Sequence, residues 1–440
     1  MKIKLPFTFI FFIAIQVGFS QDFDREKLDN YFDVLEKNNK FMGSVAVAKN
    51  GKLIYTKTVG LADVENNIKA NQHTKYRIGS ISKSFTAVLV LKAVEEEKVK
   101  LDQSIYKWFP KIKKSKKITI KQLLTHRSGI HNFTENESYS LWNTQSKTEK
   151  EMIAIIVNGG TDFKPGSKAQ YSNSNFVLLS FILEKIYRKS YTELIQEYIA
   201  EPIGLSNTYV FGKINTSLNE SKSYFFSEKW NVANETDSSI PLGAGALTST
   251  PTDLVLFLDA LFNGKLINRE SLELMKTMRD GYGIGFFQIP FYSSLGYGHT
   301  GGIDGFNSIY SYFEEEGLSY ALVSNGTNFS TNDVSIAVLS AVFEKEFDVP
   351  EFSTFNLNSE DLDKYLGVYS SKDIPIKITF TKDGNTLIGQ GTGQPALVLE
   401  ASEQNIFKFY QAGIMFEFFP KKQTLVLFQN GKKFNFTKNQ

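Results

Sequence analysis

Ser80 and Lys83 are the first pair of side chains whose types and spacing could support covalent chemistry. Residues three apart lie on one face of a helix, so the amine of Lys83 would lie one turn from the hydroxyl of Ser80. A serine hydroxyl is a weak nucleophile until a neighbouring base takes its proton. Lysine can be that base where burial and nearby positive charge favour its neutral form. The pair therefore predicts a nucleophilic Ser80 at a helix start, where free N–H groups and the helix dipole favour an anion.

The same Ser-x-x-Lys spacing recurs at Ser104 and Lys107, so the spacing alone is not specific. The two copies differ in their surroundings along the chain. Residues 80–97 are apolar on nearly all sides, as is typical of a helix buried in the middle of a domain. We therefore interpret Ser80 as the nucleophile and Ser104 as structural.

Tyr171 and Asn173 form a second candidate group, in the order Tyr-Ser-Asn. A phenol titrates near pH 10, roughly as high as lysine, and two nearby cations would favour the phenolate. Tyr171 could then act first as a base and later as an acid toward the leaving group. Asn173 is expected to hold Lys83 and to donate to a substrate carbonyl. The sequence leaves open whether Lys83 or Tyr171 takes the proton of Ser80.

The third group is the run His299, Thr300, Gly301, Gly302, placed before a pair of late strands. Glycines there would let a substrate backbone approach a strand edge, so residues 299–301 are candidates for substrate binding. One N–H of this run, together with that of Ser80, would form an oxyanion hole. Loss of one such donor typically costs about 100- to 1000-fold in rate.

The amino terminus resembles an export signal. Two lysines precede an apolar run over 5–17, and Gly18 and Ser20 are small residues at the positions that precede a cleavage site. We predict that residues 1–20 are a signal peptide, so that the protein is periplasmic or secreted. The alternative is an uncleaved anchor, but the run is short for a membrane span of about 20 residues. A membrane partner is not expected after cleavage.

Charge and composition exclude several classes of function. The formal net charge is +2, and the signal carries two lysines and no acids, so the mature chain is neutral and nothing suggests nucleic acid as a partner. The chain has no cysteine, which excludes disulfides and thiolate metal sites. Its four histidines lack zinc-ligand spacing. We expect no metal and no cofactor.

The length of 440 residues predicts two domains. A helix over 24–37 precedes two apolar runs around Asn50-Gly51, which is a strong hairpin signal. Strands at 308–313 and 319–324 and a helix over 332–346 follow a long helical region. This order predicts an α+β fold, in which an antiparallel sheet combines the first and last strands of the domain.

Beyond about residue 360 the pattern changes to short alternating strands separated by turn signals. Such a segment predicts a small all-β barrel or meander. Examples of these predicted strands are 376–380, 386–390, 406–410, 415–419, 424–428 and 433–437.

The three groups together, in this order and at these gaps, resemble the serine β-lactamase and penicillin-binding-protein family. Its members include class C β-lactamases, DD-peptidases, esterases and D-aminopeptidases. The resemblance covers about residues 24–346 and is strengthened by the segments 123–129 and 243–254. It implies a β-lactamase/transpeptidase-like hydrolase domain over 21–350. It also implies that the oxyanion donors are the N–H groups of Ser80 and Gly302. Residues 365–369 resemble the start of a lipocalin-like module, predicted over 358–440.

The resemblance implies an acyl-enzyme on Ser80, formed with a small ester or a D-amino-acid peptide. A β-lactamase is one alternative, and a catalytically silent relative that binds peptidoglycan fragments is another. β-Lactamases of the family usually have Lys-Thr-Gly as the third motif, whereas this chain has His299. Histidine is less positive than lysine at neutral pH, so it attracts a β-lactam carboxylate less strongly. His126, within the segment 123–129, is interpreted as structural.

Overall fold

A computed structural model describes residues 23–227, 229–352, 355–429 and 431–439. The predicted signal peptide lies outside these residues. Among the helices of the described ranges, none has both the length and the apolar character needed to cross a membrane.

The α-helices of the described chain begin and end as follows: α1 Arg25–Lys37, α2 Ser82–Glu95, α3 Ile120–Leu124, α4 Tyr139–Trp142, α5 Glu149–Gly159, α6 Asn173–Tyr187, α7 Tyr191–Ile195, α8 Glu201–Ile203, α9 Pro251–Phe262, α10 Arg269–Lys276, α11 Thr331–Val342 and α12 Ser359–Leu362.

The strands of the hydrolase region are β1 Phe41–Lys49, β2 Lys52–Val59, β3 Leu61–Asp63, β4 Ile68–Lys69, β5 Tyr76–Arg77, β6 Tyr209–Val210, β7 Tyr224–Ser227, β8 Lys229–Val232, β9 Leu247–Ser249, β10 Phe287–Phe291, β11 Ser294–Ile303, β12 Phe306–Phe313 and β13 Leu318–Thr327. The carboxy-terminal strands are β14 Gly367–Ser371, β15 Lys377–Asp383, β16 Thr386–Gly391, β17 Ala396–Glu403, β18 Ile406–Phe409, β19 Ile414–Phe419, β20 Thr424–Gln429 and β21 Lys432–Lys438.

The central sheet is antiparallel, with the strand order β10-β11-β12-β13-β1-β2. The first strand therefore pairs with the last one, as the sequence predicted. The hairpin β1–β2 turns at Asn50 and Gly51, whose φ angles are 51° and 73°. Both angles are positive, and this is the conformation that an Asn-Gly hairpin turn requires.

The two faces of the sheet contribute to two separate cores. Along β1, Val45 and Val47 face one core, while Ala46 and Ala48 face the other. This alternation follows from the period of two in a strand. Helices α1 and α11 cover the first face, and α9 packs across the second face. The small alanines on that second side let a helix approach the sheet closely.

Helix α2 runs through the middle of the larger core and is buried on nearly every side. The sequence predicted this from its all-round apolar pattern. It packs against α6, so the amino-terminal ends of two buried helices, which carry Ser80 and Asn173, meet at one place in the domain.

The carboxy-terminal strands β14 to β21 close into an antiparallel barrel, with β14 paired to β21. The small all-β barrel predicted from the sequence is confirmed, and the six strands given as examples correspond to β15, β16, β18, β19, β20 and β21. Aromatic side chains such as Tyr369, Phe380 and Phe418 fill its interior and contact one another edge to face.

The barrel contacts the hydrolase domain near the start of β1 through an ion pair. Lys40, directly before β1, is 3% exposed, and its Nζ lies 2.6 Å from a carboxylate oxygen of Glu400 on β17. Asn328 donates to the same carboxylate, and the Lys40 ammonium lies over the ring of Tyr410. Burial lowers the pKa of Lys40, and the bond to Glu400 counters that effect.

We predict that Glu400→Gln lowers the free energy of unfolding by about 1–2 kcal/mol, because the buried Lys40 ammonium loses its counter-ion. The figure is below that of a fully buried pair because the Glu400 side chain is 38% exposed. Urea unfolding measures it. Glu403→Gln, on the same strand but exposed, serves as the control. Equal stability of the two variants would contradict a stabilising ion pair.

Candidate active site

Ser80 lies in a single 3-10 turn, Gly79–Ile81, that leads into α2. The helix itself begins two residues after the serine. Lys83, in the first turn of α2, places its Nζ 2.9 Å from Ser80 Oγ. The predicted pair is therefore within hydrogen-bond distance. Within the described chain, the N–H of Ser80 makes no hydrogen bond, as expected for the first turn of a helix.

Two further oxygens hold the amine of Lys83. Asn173 Oδ1, at the start of α6, and the main-chain oxygen of Ala244 each lie 2.7 Å from Nζ. A neutral amine has two N–H donors and one lone pair. If the donors go to these two oxygens, the lone pair is left for the hydroxyl hydrogen of Ser80. The sequence predicted the Asn173 contact and missed that of Ala244, although Ala244 lies in the segment 243–254.

Lys83 is fully buried, and loss of hydration lowers its pKa well below the ordinary value of lysine. Burial disfavours the charged form of an amine because the low-dielectric interior does not replace its hydration. Among the described residues, no carboxylate lies within ion-pairing distance of the Lys83 amine. The amine is therefore suited to accept a proton near neutral pH.

Tyr171 donates its hydroxyl to Ser80 Oγ at 2.8 Å, on a different side from Lys83. Burial raises the pKa of Tyr171, and the bond to Ser80 only partly opposes this. Burial therefore disfavours the phenolate, and the predicted base role of Tyr171 stays a prediction. The prediction relied on two nearby cations, but Lys83 and His299 are both buried in ways that favour their neutral forms. Tyr171 is better suited to donate a proton than to remove one.

His126 is buried behind Tyr171, and the two rings stack with their centroids 4.5 Å apart. Its Nδ1 accepts the N–H of Ser172 at 3.1 Å. Burial lowers its pKa well below the ordinary value. His126 forms no hydrogen bond with Ser80 or Lys83, and its contacts orient the Tyr171 ring and the start of α6.

His299 is also buried, and burial is the largest cause that lowers its pKa well below the ordinary value of histidine; an ammonium form of Lys83 would lower it further. Its Nδ1 hydrogen-bonds the main-chain oxygen of Thr300, and its ring lies 4.5 Å from that of Phe287. The side chain is therefore neutral and provides no cation to a substrate. Neither His299 nor Thr300 lines the cavity at Ser80, so their predicted substrate contacts stay predictions.

The glycines of the third motif have different surroundings. A Cβ on Gly301 would lie 2.1 Å from the main-chain oxygen of Ile78, so this glycine permits close packing within the protein, and its predicted contact with a substrate stays a prediction. Gly302 lines the cavity, and a Cβ there would meet nothing closer than 4.0 Å. A Cβ on Gly79 would lie 2.8 Å from Gly302 N, which places Gly302 beside the turn that carries Ser80.

Strand β10 pairs with β11 only as far as Gly298. The edge of β11 from His299 to Ile303 is therefore left unpaired by β10. The predicted oxyanion donors, Ser80 and Gly302, thus lie on adjoining main-chain segments beside an open sheet edge.

Arg77, which the sequence analysis did not single out, links separate segments of the site through ion pairs. It is 2% exposed, bonds Asp304 and Glu235 at 2.8 Å each, and lies over the ring of Phe211. Asp304 also accepts from the N–H and hydroxyl of Thr236. Because Arg77 is three residues before Ser80 and Asp304 two after Gly302, the network fixes both sides of the proposed oxyanion hole.

A cavity of about 660 Å³ opens at Ser80. Its lining includes Ser80, Asn173, Thr236, Gly302, Asp304 and Asn307. Among the lining residues that the structure describes, Asp304 alone is charged, and it pairs with Arg77, which also pairs with Glu235. Asn132 and Thr134 orient Asn173 by accepting from its side-chain amide. Sequence reasoning gave neither of them a role.

The second Ser-x-x-Lys copy is structural. Ser104 caps the short turn at Ile105–Lys107 by accepting the N–H of Tyr106, and its hydroxyl donates to the main-chain oxygen of Ser115. In the described ranges, no group of three or more histidine or acidic side chains is arranged to hold a metal ion.

The Beta-lactamase family model matches residues 28–343, which is most of the chain. The chain belongs to the Beta-lactamase family. It is a serine hydrolase with the β-lactamase/transpeptidase-like fold, followed by a closed eight-stranded barrel.

Several relatives are similar in sequence or in fold. The chain is 30% identical over 294 residues to teichoic acid D-alanine hydrolase from Staphylococcus aureus strain MRSA252, covering 64% of this chain and 70% of that protein. D-amino acid amidase from Ochrobactrum anthropi SV3 superposes with a TM-score of 0.63 at 26% identity, over 72% of this chain and 98% of that chain. An octameric penicillin-binding protein homologue from Pyrococcus abyssi has a TM-score of 0.67 at 24% identity, over 94% of this chain and 100% of that chain. The last likeness shows the fold alone.

We predict that Asn173→Asp moves the acidic limb of the kcat/KM profile to higher pH by about 1–3 units. A carboxylate 2.7 Å from Lys83 Nζ would favour the ammonium form, so the amine would lose its proton only at higher pH. The lowered pKa of Lys83 implies that activity is present above that pKa and is lost as the pH falls through it.

The matched control is Asn136→Asp. Its side-chain oxygen already faces His131, so the same charge is added without contact to Lys83. An unmoved acidic limb in Asn173→Asp would exclude Lys83 as the group that sets it.

Proposed function

We propose that this hydrolase cleaves esters or amides of D-amino acids through an acyl-enzyme on Ser80. The observation that carries the proposal is the position of Ser80 Oγ, 2.9 Å from the amine of Lys83 and 2.8 Å from the hydroxyl of Tyr171, at the opening of a cavity. A hydroxyl so placed has a base on one side and a proton donor on another.

In the proposed acylation, the lone pair of Lys83 takes the proton of Ser80 Oγ, and Oγ bonds to the substrate carbonyl carbon. The carbonyl π electrons move onto the oxygen, where the N–H groups of Ser80 and Gly302 stabilise the charge. Collapse breaks the bond to the departing alkoxide or amine, which takes a proton from the Lys83–Tyr171 pair. Water then attacks the acyl carbon, gives a proton back to that pair, and releases the acid as Ser80 regains its proton.

The charge of the cavity supports a neutral or cationic substrate. A β-lactam or a peptide ending in a free carboxylate needs a cationic partner, but Asp304 is the charged group among the described lining residues and His299 is neutral. An ester or amide of an amino acid carries no such carboxylate. Two relatives act on D-amino-acid derivatives by their names, D-alanine hydrolase and D-amino acid amidase, and this supports the D configuration.

β-Lactamase activity is the alternative within the same chemistry, since the acylating groups would be the same. The silent peptidoglycan-binding alternative is not favoured, because the proposed base and the proposed proton donor each lie within hydrogen-bond distance of Ser80 Oγ.

Export also belongs to the proposal. The sequence features of residues 1–20 support a signal peptide, and the proposed domains are 21–350 and 358–440. The described chain is consistent with this division, because the closed barrel begins at β14, after residue 358.

We predict that a fluorophosphonate probe labels the wild-type protein and that Ser80→Ala abolishes labelling. The other serine of a Ser-x-x-Lys copy provides a matched control. Ser104→Ala keeps full labelling, because Ser104 only caps a surface turn. Labelling is read by mass spectrometry of the intact chain. Persistent labelling of Ser80→Ala would place the nucleophile elsewhere.

We also predict that D-alanine esters and amides are cleaved at least about tenfold faster, by kcat/KM, than nitrocefin. None of the described lining residues is a cation that could offset the desolvation of a β-lactam carboxylate, and a desolvation cost of about 1.4 kcal/mol corresponds to a tenfold difference. L-alanine esters serve as the stereochemical control. Rapid turnover of nitrocefin with no cleavage of the alanine derivatives would establish the β-lactamase alternative instead.

A further inference from the structure

Although the positive and negative charges of the chain nearly balance, residues 103–134 form a strongly basic region. Residues 103–134 contain seven lysines and Arg127 and no acidic residue, in a chain whose formal net charge is only +2. The seven lysines are all exposed, and none forms an ion pair within the described ranges. Exposed lysines 164 and 168, on a neighbouring segment, are likewise without ion pairs there.

Most of these lysines project from a compact loop over 104–119, here called the lysine loop. Its ends are joined by a bridge between Ser104 and Thr119 and by the bond from Ile105 N to the main-chain oxygen of Ile118. Apolar side chains at Ile105, Phe109, Ile112 and Ile118 are buried beneath it. A loop with closed ends and its own buried side chains presents its charges on a fixed surface, and such loops are frequently functional.

The lysine loop forms one wall of a groove of about 550 Å³, here called the lysine groove. None of the described lining residues is acidic. Four of them are lysines: Lys114, Lys116, Lys117 and Lys164. Tyr106, Pro110 and Pro165 provide an apolar floor. A concave, low-dielectric surface lined by one sign of charge focuses its field and attracts ions of the opposite sign.

Lys164 and Pro165, which also line the groove, belong to the segment that leads to Tyr171, the proposed proton donor. Lys164 is seven residues before Tyr171. That segment is held by bonds from Gly166 N to Arg127 O and from Gln170 N to His126 O. The lysine groove and the site at Ser80 are therefore joined by a short, well-fixed segment.

We propose that the lysine groove binds a linear polyanion whose charges are phosphates along a flexible backbone without bases. Ammonium groups bind phosphate as point charges, and several of them along one groove match a chain of repeated phosphates. The apolar floor would contact the carbon backbone between the phosphates. This is a binding function separate from acyl transfer at Ser80.

The geometry favours such a polymer over a nucleic acid or a bilayer. Single-stranded nucleic acids stack their bases on open aromatic faces. Here Lys116 lies over the Tyr106 ring at 4.7 Å and Lys107 over the Trp108 ring at 5.7 Å, so these faces are occupied. A groove also accommodates a chain better than it does the flat surface of a membrane.

The test uses the full chain carrying Ser80→Ala, so that binding is measured without hydrolysis and does not depend on the proposed function. Isothermal titration with poly(glycerol phosphate) is repeated at several salt concentrations. The groove variant replaces Lys114, Lys116, Lys117 and Lys164 with Gln. The matched control replaces Lys372, Lys377, Lys432 and Lys433, which are exposed lysines of the barrel, with Gln. Thermal unfolding checks that both variants fold.

We expect the groove variant to bind at least about tenfold more weakly at low salt, with a salt slope reduced by about 0.7 for each lost phosphate contact. The control should stay within about twofold of the parent. Equal weakening of both variants would show non-specific charge attraction and would overturn the proposal. So would absence of binding, or binding only to a single-stranded oligonucleotide or to phosphatidylglycerol vesicles.

Discussion

The arrangement of the site depends on the removal of one lysine amine from water. Lys83 lies in the first turn of a helix that is buried on all sides, so hydration of its ammonium form is lost when the domain folds. The neutral amine then needs acceptors for two hydrogens and a donor for its lone pair. Asn173, Ala244 and Ser80 meet these requirements from three separate parts of the chain.

The surrounding structure can be understood from this requirement. Helices α2 and α6 pack together with their amino termini adjacent, so that the ends with free N–H groups and positive dipoles meet at Ser80. These ends disfavour a positive charge on Lys83 and favour a negative charge on Ser80 Oγ. Behind them, His126 and His299 are buried in neutral form, so they pack around Tyr171 without adding charge.

Charge is distributed very differently on the two sides of the segment that leads to Tyr171. Asp304, paired with Arg77, is the one charged residue among the described lining of the cavity at Ser80, whereas the lysine groove carries four ammonium groups that form no ion pair within the described ranges. The first environment suits a reaction in which charge appears only transiently. The second suits recognition of a permanent polyanion, so the two regions suit different parts of a ligand.

The sequence by itself determined the local features. The Ser80–Lys83 spacing, the Asn50-Gly51 hairpin and the all-round apolar pattern of α2 depend on residues a few positions apart, where backbone geometry is nearly fixed. The resemblance placed Tyr171 and Asn173 beside them. The short alternating strands of the barrel were also predicted, whereas the pairing of β14 with β21 that closes the barrel joins residues far apart in the sequence.

Only the tertiary structure decided the direction in which burial shifts the pKa values of Lys83 and Tyr171, and which partners distant in sequence they contact. Whether Lys83 or Tyr171 is neutral depends on desolvation by the whole domain, which no spacing of residues reports. Ala244 reaches Lys83 across 161 residues, and Asp304 reaches Arg77 across 227. Such contacts follow from helix packing and sheet order, and for that reason the structure was needed to find them.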